Sequence, residues 1–365
     1  MSPRAAYFLL TPDYFGRPFD DGIIRALLAA RFEVDLYMPP PLPEQTLYPP
    51  QVTCRQVDYR LSWLRENLRP LRWRRYDLLL GCSDLPMAVV GLLGRLARRP
   101  TVTACDEIYS GGYEGQARLH WKTLVKSGMH RADLTVITDL VRTALQREYA
   151  RLPASHPFVE YPCCFADDFD APDRTEVRRE LGIGEDDFVV SMAGRFSPET
   201  GALQGLELLD RVTDASLLVQ TAGRPDALTD ALLRREARRG RLVYAPERLG
   251  YRESLRITSA ADVSLVVYLS PKPQFQAMGV SSNKLCLSLW MGIPVIATRQ
   301  PSFELVERYR CGVLIDGDDE LPAALETIRA NRAVYSENAR AAVREHIRPA
   351  QKLEELASTF ASLAG

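Results

Sequence analysis

Histidine is scarce in this chain: His120, His130, His156 and His346 are the four among 365 residues, with no HxxxH spacing. The seven cysteines are odd in number and scattered, and none forms a CxxC pair. Together these absences argue against a zinc site and against a disulfide framework, and they predict reduced thiols in a cytoplasmic protein. Long apolar runs are missing too; nothing approaches the roughly 20 residues of a membrane helix. The opening run Ala5-Leu10 is too short for a secretory leader and lacks a small-residue cleavage site. A net charge of -1 gives no global field that would favour nucleic acid or a membrane. No GxGxxG follows the first apolar run, so the dinucleotide fingerprint is absent.

What is present is an alternation. Short apolar runs at Ala5-Leu10, Val34-Tyr37, Asp77-Leu80, Thr101-Ala104, Leu134-Thr138 and Phe158-Tyr161 are separated by amphipathic stretches such as Asp20-Ala30, Leu85-Ala97, Ala117-Met129 and Leu140-Ala150. The second half repeats the plan with runs at Phe188-Met192, Ser216-Gln220, Leu242-Tyr244, Val263-Tyr268, Pro294-Ala297 and Gly312-Ile315. Apolar strands separated by helices predict parallel, doubly wound α/β sheets. A length of 365 residues favours two domains. Residues 1–165 read as a first Rossmann-like domain and residues 175–348 as a second. The intervening Cys163-Arg174 stretch is rich in turn residues and lacks periodicity. The helix expected over 349–365 could return to the first domain. One echo, Ala132-Asp133-Leu134 against Ala261-Asp262-Val263, marks a helix-to-strand junction in each half.

In open parallel sheets, ligands bind beyond the carboxyl ends of the strands. Four loops there can carry chemistry. Gly16, after the first strand, lets backbone approach a ligand. Gly194 does the same after the first strand of the second half, and Arg195 beside it offers a fork of donors suited to phosphate. Ser281, Ser282, Asn283 and Lys284 lead into an apolar helix, where a serine cap, free N–H groups and a mobile cation suit an anion. Asp106 and Glu107 end a first-half strand and could orient an acceptor hydroxyl or take its proton; Gly111, Gly112, Tyr113 and Gly115 follow them. The plain alternatives are a strand–helix loop at Gly16, a surface arginine paired with Glu199 at Arg195, an ordinary capped helix at Ser281–Lys284, and a helix cap with a solvated acid at Asp106 and Glu107. A basic and aromatic stretch, Leu61 to Arg75, could rest weakly on an anionic membrane. Pro70 interrupts it, and a solvated face with buried Leu and Trp is the favoured reading.

The segment Ser282-Asn283-Lys284-Leu285-Cys286-Leu287-Ser288-Leu289-Trp290-Met291-Gly292-Ile293-Pro294-Val295-Ile296-Ala297 resembles the signature "PNKLFEYLAAGKPVIA" of GT-B glycosyltransferases, especially family 4. Gly194-Arg195-Phe196-Ser197-Pro198-Glu199-Thr200-Gly201 looks like their "GRLVPEKG", Pro162 falls in their "VIPNGVD", and Ala261-Asp262-Val263 matches their "ADV". The resemblance implies two Rossmann-like domains facing a cleft and a retaining, metal-independent glycosyltransferase with no cofactor. A nucleotide-sugar donor would sit mainly on the second domain and an acceptor on the first. Arg195 and Lys284 would lie at the diphosphate, with Ser281, Ser282 and Asn283 adding donors. Gly16 would close over the donor, and backbone near Pro246, Glu247, Arg248 and Leu249 would meet the base. Asp106 becomes the candidate catalytic group on the acceptor side. The departures are specific: the family's lysine falls at Thr200, its glutamates at Gly279 and Leu287, and its first-domain histidine at Cys105. A non-catalytic relative and a nucleotide-sugar epimerase therefore stand as alternatives.

Overall fold

A computed structural model describes residues 2–10, 17–60, 63, 66–67, 69–108, 119–194, 200–212, 215–221, 227–240, 242–245 and 250–365. The chain divides into unit 1, Met1–Pro162 with Pro349–Gly365, and unit 2, Cys163–Arg348.

Unit 1 carries β1 (Arg4–Phe8), β2 (Glu33–Met38), β3 (Val52–Gln56), β4 (Leu78–Cys82), β5 (Thr101–Cys105), β6 (Leu134–Ile137) and β7 (Phe158–Glu160). They form one sheet in the order β3-β2-β1-β4-β5-β6-β7, and every pairing is parallel. β4 and β5 are buried along their length, and β1 from Ala5 onward, as expected of strands covered on both faces. The terminal helix Pro349–Ala364 packs against Pro18–Ala29 within this unit. β3 has no counterpart among the apolar runs of the sequence. It is an edge strand whose Arg55 and Gln56 face solvent, so burial never selected a continuous apolar pattern there.

Unit 2 carries β8 (Phe188–Gly194), β9 (Ala215–Thr221), β10 (Leu242–Ala245), β11 (Val263–Val266), β12 (Val295–Thr298) and β13 (Gly312–Ile315), in the parallel order β10-β9-β8-β11-β12-β13. Both sheets thus reverse direction beside their first strand, between β1 and β4 and between β8 and β11. The division falls at Pro162, so Cys163–Phe165 belong to unit 2. The Cys163 amide donates to the Val280 carbonyl at 3.0 Å, and Phe165 packs on Trp290 with ring centroids 5.1 Å apart.

Aspartates register neighbouring strands at their amino ends. Asp262 donates its N–H to the Val189 carbonyl while its carboxylate accepts the Val189 N–H, both at 2.8 Å. Asp133 does the same with Thr101, at 2.9 and 2.8 Å, and Asp77 with Arg4, at 2.8 and 2.9 Å. The sequence echo pairs Asp133 with Asp262, but the sheet order pairs Asp77 with Asp262. Asp77 and Asp262 each precede the strand that lies beside the first strand of its sheet.

Candidate functional site

In unit 1 the carboxyl ends of β1, β4 and β5 converge on a charged cluster. The Asp106 side chain, immediately after β5, accepts a hydrogen bond from Arg17 and another from Ser83 Oγ at 2.9 Å. Arg17 also reaches Asp20 at 3.5 Å, and Tyr7 OH donates to Asp20 at 2.6 Å. The buried Arg142 donates to the Asp106 carbonyl at 3.5 Å and pairs with Glu107 at 3.7 Å.

The two carboxyls titrate in opposite directions. Burial pushes the Asp106 carboxyl up, but the Arg17 charge and the hydrogen bonds from Arg17 and Ser83 outweigh it and hold the group below the ordinary aspartate value. At Asp20, burial wins: reinforced by the Asp106 charge, it raises the carboxyl against the pull of Arg17 and Tyr7. The cluster therefore moves Asp106 toward its anion and Asp20 away from it, the kind of separation that lets one carboxylate serve as acceptor or base.

Ser83 reaches Asp106 from a backbone φ of 69°, a conformation that serine rarely adopts. It is the N-cap residue of the helix Asp84–Ala97, yet its side chain caps nothing. Strain of this kind persists where the surroundings impose it. Cys105 lies buried against the Met87 sulfur, so no imidazole-like group stands beside Asp106 at that position.

In unit 2 the corresponding region is cationic. β8 ends at Gly194, whose φ of 97° explains the glycine. An added Cβ would sit 3.6 Å from Lys284 Cε, an ordinary contact, so Gly194 and Lys284 are neighbours. Between β11 and the helix Asn283–Trp290 the chain makes a tight turn at Gly279–Ser281. Ser281 Oγ donates to the Met278 carbonyl and so is committed to the turn. Ser282 Oγ accepts the Leu285 N–H at 3.1 Å, capping the helix, and lies 2.8 Å from Tyr268 OH.

This cap leaves the amides of Asn283 and Lys284 with no hydrogen-bond partner among the described residues. The buried Asn283 Oδ1 has none either. Lys284 Nζ donates to the Thr200 carbonyl at 3.3 Å and stands 5.8 Å from the Tyr268 ring centroid. Burial draws its ammonium down to about 8. Free N–H groups at a helix start, a glycine and a partly desolvated cation form an anion-binding corner.

The sequence brought together Gly194, Ser282, Asn283 and Lys284, and the structure does as well. Ser281 is turned to its own loop instead of offering its hydroxyl to a ligand. Asp106 and Glu107 share Arg142, but Glu107 is half-exposed. Gly16, Tyr113, Arg195, Glu247, Arg248 and Leu249 lie outside the described residues. Leu287, where the family's glutamate would stand, is packed in the apolar core with Leu285, Cys286, Leu289 and Trp290. Sequence reasoning did not single out Tyr7, Asp20, Ser83 or Arg142. Asp20 left a signal: it falls on the apolar stripe Phe19, Ile23, Ile24 and Leu27, where an acid must have a partner. Among the described residues, no group of three His, Cys, Asp or Glu side chains is placed to hold a metal ion.

No family model and no curated protein matches the sequence. Solved structures do. Sucrose-phosphate synthase from Thermosynechococcus elongatus aligns at 15% identity over 99% of each chain, with a TM-score of 0.73. Anabaena HepE in complex with UDP-glucose aligns at 17% identity over 98% of this chain and 99% of its own, with a TM-score of 0.76. A glycosyltransferase from Rickettsia africae aligns at 12% identity over 99% and 98%, with a TM-score of 0.74. The chain has the GT-B fold of these enzymes, with two doubly wound parallel-sheet units. No helix among the described residues is long and apolar enough to cross a membrane.

Proposed function

We propose that this protein is a glycosyltransferase that moves a sugar from a nucleotide-sugar donor to an acceptor hydroxyl, retaining anomeric configuration and using no metal. The observation that carries the reading is the corner formed by Gly194, Lys284 and the unpartnered amides of Asn283 and Lys284. Solved relatives of this fold hold UDP and UDP-glucose, which favours a nucleoside diphosphate as the anion in question.

In this reading the bond between the anomeric carbon and the diphosphate oxygen breaks, and its electron pair leaves with the diphosphate. Lys284 and the helix amides neutralise that developing charge without reorganising, which is how preorganised donors accelerate a reaction. Arg195, next in the chain after Gly194, supplies the second cation. The acceptor oxygen forms the new bond as its proton passes to the Asp106 carboxylate. Asp106, kept anionic by Arg17 and Ser83, orients that hydroxyl as a hydrogen-bond acceptor. A carboxylate at position 287 has no part in it, so the ribose is held by other groups.

Calorimetric titration with UDP-, GDP-, dTDP- and CMP-sugars tests the donor half. One of them should bind, and Lys284→Ala should weaken it roughly 10- to 100-fold, the equivalent of one charged hydrogen bond. If none binds, or if Lys284→Ala leaves the affinity unchanged, the anion corner has another purpose.

A further inference from the structure

The stretch from Arg69 to Arg75 resolves into two faces. Trp73 is fully buried, packed with Phe8, Val89, Val90, Leu93 and Ala97, and its indole N–H donates to the Asn67 carbonyl at 2.6 Å. Leu71, two residues earlier, points the other way. At 77% exposure it is the most exposed large apolar side chain among the described residues.

Around Leu71 stand arginines. Arg69, Arg72 and Arg74 are exposed on the same short segment. The carboxyl end of the helix Asp84–Ala97 adds Arg95, Leu96 and Arg98, all exposed. The two segments are adjacent: Trp73 packs on Leu93 and Ala97, and Arg99 Nη2 donates to the Arg74 carbonyl at 2.6 Å. The acids nearby are Glu66, which is exposed, and Asp77, which lies 4.0 Å from Arg99. None of Arg69, Arg72, Arg74, Arg95 and Arg98 has a carboxylate within ion-pair distance among the described residues. A chain of net charge -1 thus concentrates five unneutralised guanidinium groups around two exposed leucines.

We infer that this face of unit 1 docks on an anionic lipid surface. Guanidinium groups meet phosphate headgroups at the interface, and Leu71 enters the acyl boundary between them. A polynucleotide would use the arginines but give Leu71 nothing, and among the described residues no exposed aromatic ring accompanies them for base stacking. The charge is unpaired and an exposed apolar side chain lies on the same segment as three of the arginines, and a lipid surface uses both.

The test is co-sedimentation of the full chain with vesicles of phosphatidylcholine alone and of phosphatidylcholine with phosphatidylglycerol in equal parts. The protein should pellet with the anionic vesicles only, and salt should release it. Each arginine at such a surface is worth about fivefold in partitioning. Arg72→Glu combined with Arg98→Glu should therefore lower binding by about tenfold or more. Leu71→Ser should lower it several-fold while leaving the salt dependence in place. Equal binding to both vesicle types, unchanged binding by the variants, or tighter binding to duplex DNA that ignores Leu71→Ser would each overturn the inference. Circular dichroism of the variants should match the parent, since all three side chains are exposed.

Discussion

In each unit a helix with a serine at its N-cap follows the strand beside the first one: directly at Ser83 after β4, and at Ser282 after β11, beyond the short helix Pro273–Gln276. In unit 1 the helix starts at once after Cys82. In unit 2 residues 267–282 intervene before it. Ser83 is forced to a positive φ and gives its hydroxyl to Asp106. Ser282 keeps an ordinary φ of -75° and caps its own helix. Equivalent places in two sheets of one topology have become an anion held by a cation in unit 1 and a lysine at a helix start with unpartnered amides in unit 2. The sheet fixes where a site is, and one side chain's choice of partner fixes its sign.

The sharpest break in that comparison is to remove charge from unit 1. Asp106→Asn leaves Arg17 without its short partner and removes the anion, and transfer should fall about 10²- to 10⁴-fold. Asp20→Asn replaces a carboxyl that burial already drives toward its neutral form, and it keeps an acceptor for Tyr7 OH. Its effect on turnover should be much smaller, within about tenfold. Steady-state kinetics on both variants decide the matter. Equal losses would mean that the two carboxyls act as one pair and that Asp106 has no separate role.

The pH dependence at the two sites should run in the same direction but in separate windows. Asp106 has a folded-state value below its unfolded one, so its stabilising contribution is present above the unfolded value and is lost as pH falls through the folded one. Lys284 is lowered to about 8, whereas an unfolded lysine titrates near 10.4. Between those values the unfolded chain binds more protons, so stability should rise with pH there. Below about 8 the buried charge is a penalty, and Lys284→Met should raise the melting temperature even as it weakens the nucleotide. Donor affinity should fall above pH 8, by up to about tenfold per unit, and Lys284→Arg should flatten that fall because guanidinium stays charged. A flat affinity profile in the parent would show that no ammonium at this position faces the ligand.

Most of the fold was legible because burial writes itself into sequence. All twelve apolar runs became strands in the order read, since burial on both faces selects mainly apolar residues and leaves a recognisable run. β3 was not legible, because its exposed Arg55 and Gln56 break the apolar pattern that the other edge strands β7, β10 and β13 keep. In unit 2 the helix-start residues were readable, since capping and anion binding are local chemistry. In unit 1 the site is built across distance: Arg17 and Asp106 are 89 residues apart and Ser83 and Asp106 are 23 apart. Spacing along the chain cannot express such contacts. The departure at Leu287 could be read as a missing carboxylate, but only packing shows that the position belongs to the core.

The smallest expected effect separates the two serines directly. Ser282→Ala removes the acceptor for the Leu285 amide and should cost about 1 kcal/mol of stability, the usual worth of an N-cap. Ser83→Ala removes no cap, because its hydroxyl is spent on Asp106. It should leave the helix Asp84–Ala97 as stable as before and move the Asp106 titration upward, which carbon-detected NMR of that carboxyl would follow. Ser83→Gly should do the same to Asp106 while relieving backbone strain, since glycine takes a φ of 69° freely. Denaturant melts of the three variants put these signs side by side. If Ser83→Ala proves as destabilising as Ser282→Ala, then both serines are ordinary caps. The charge of the unit 1 site would then have to be explained by Arg17 alone.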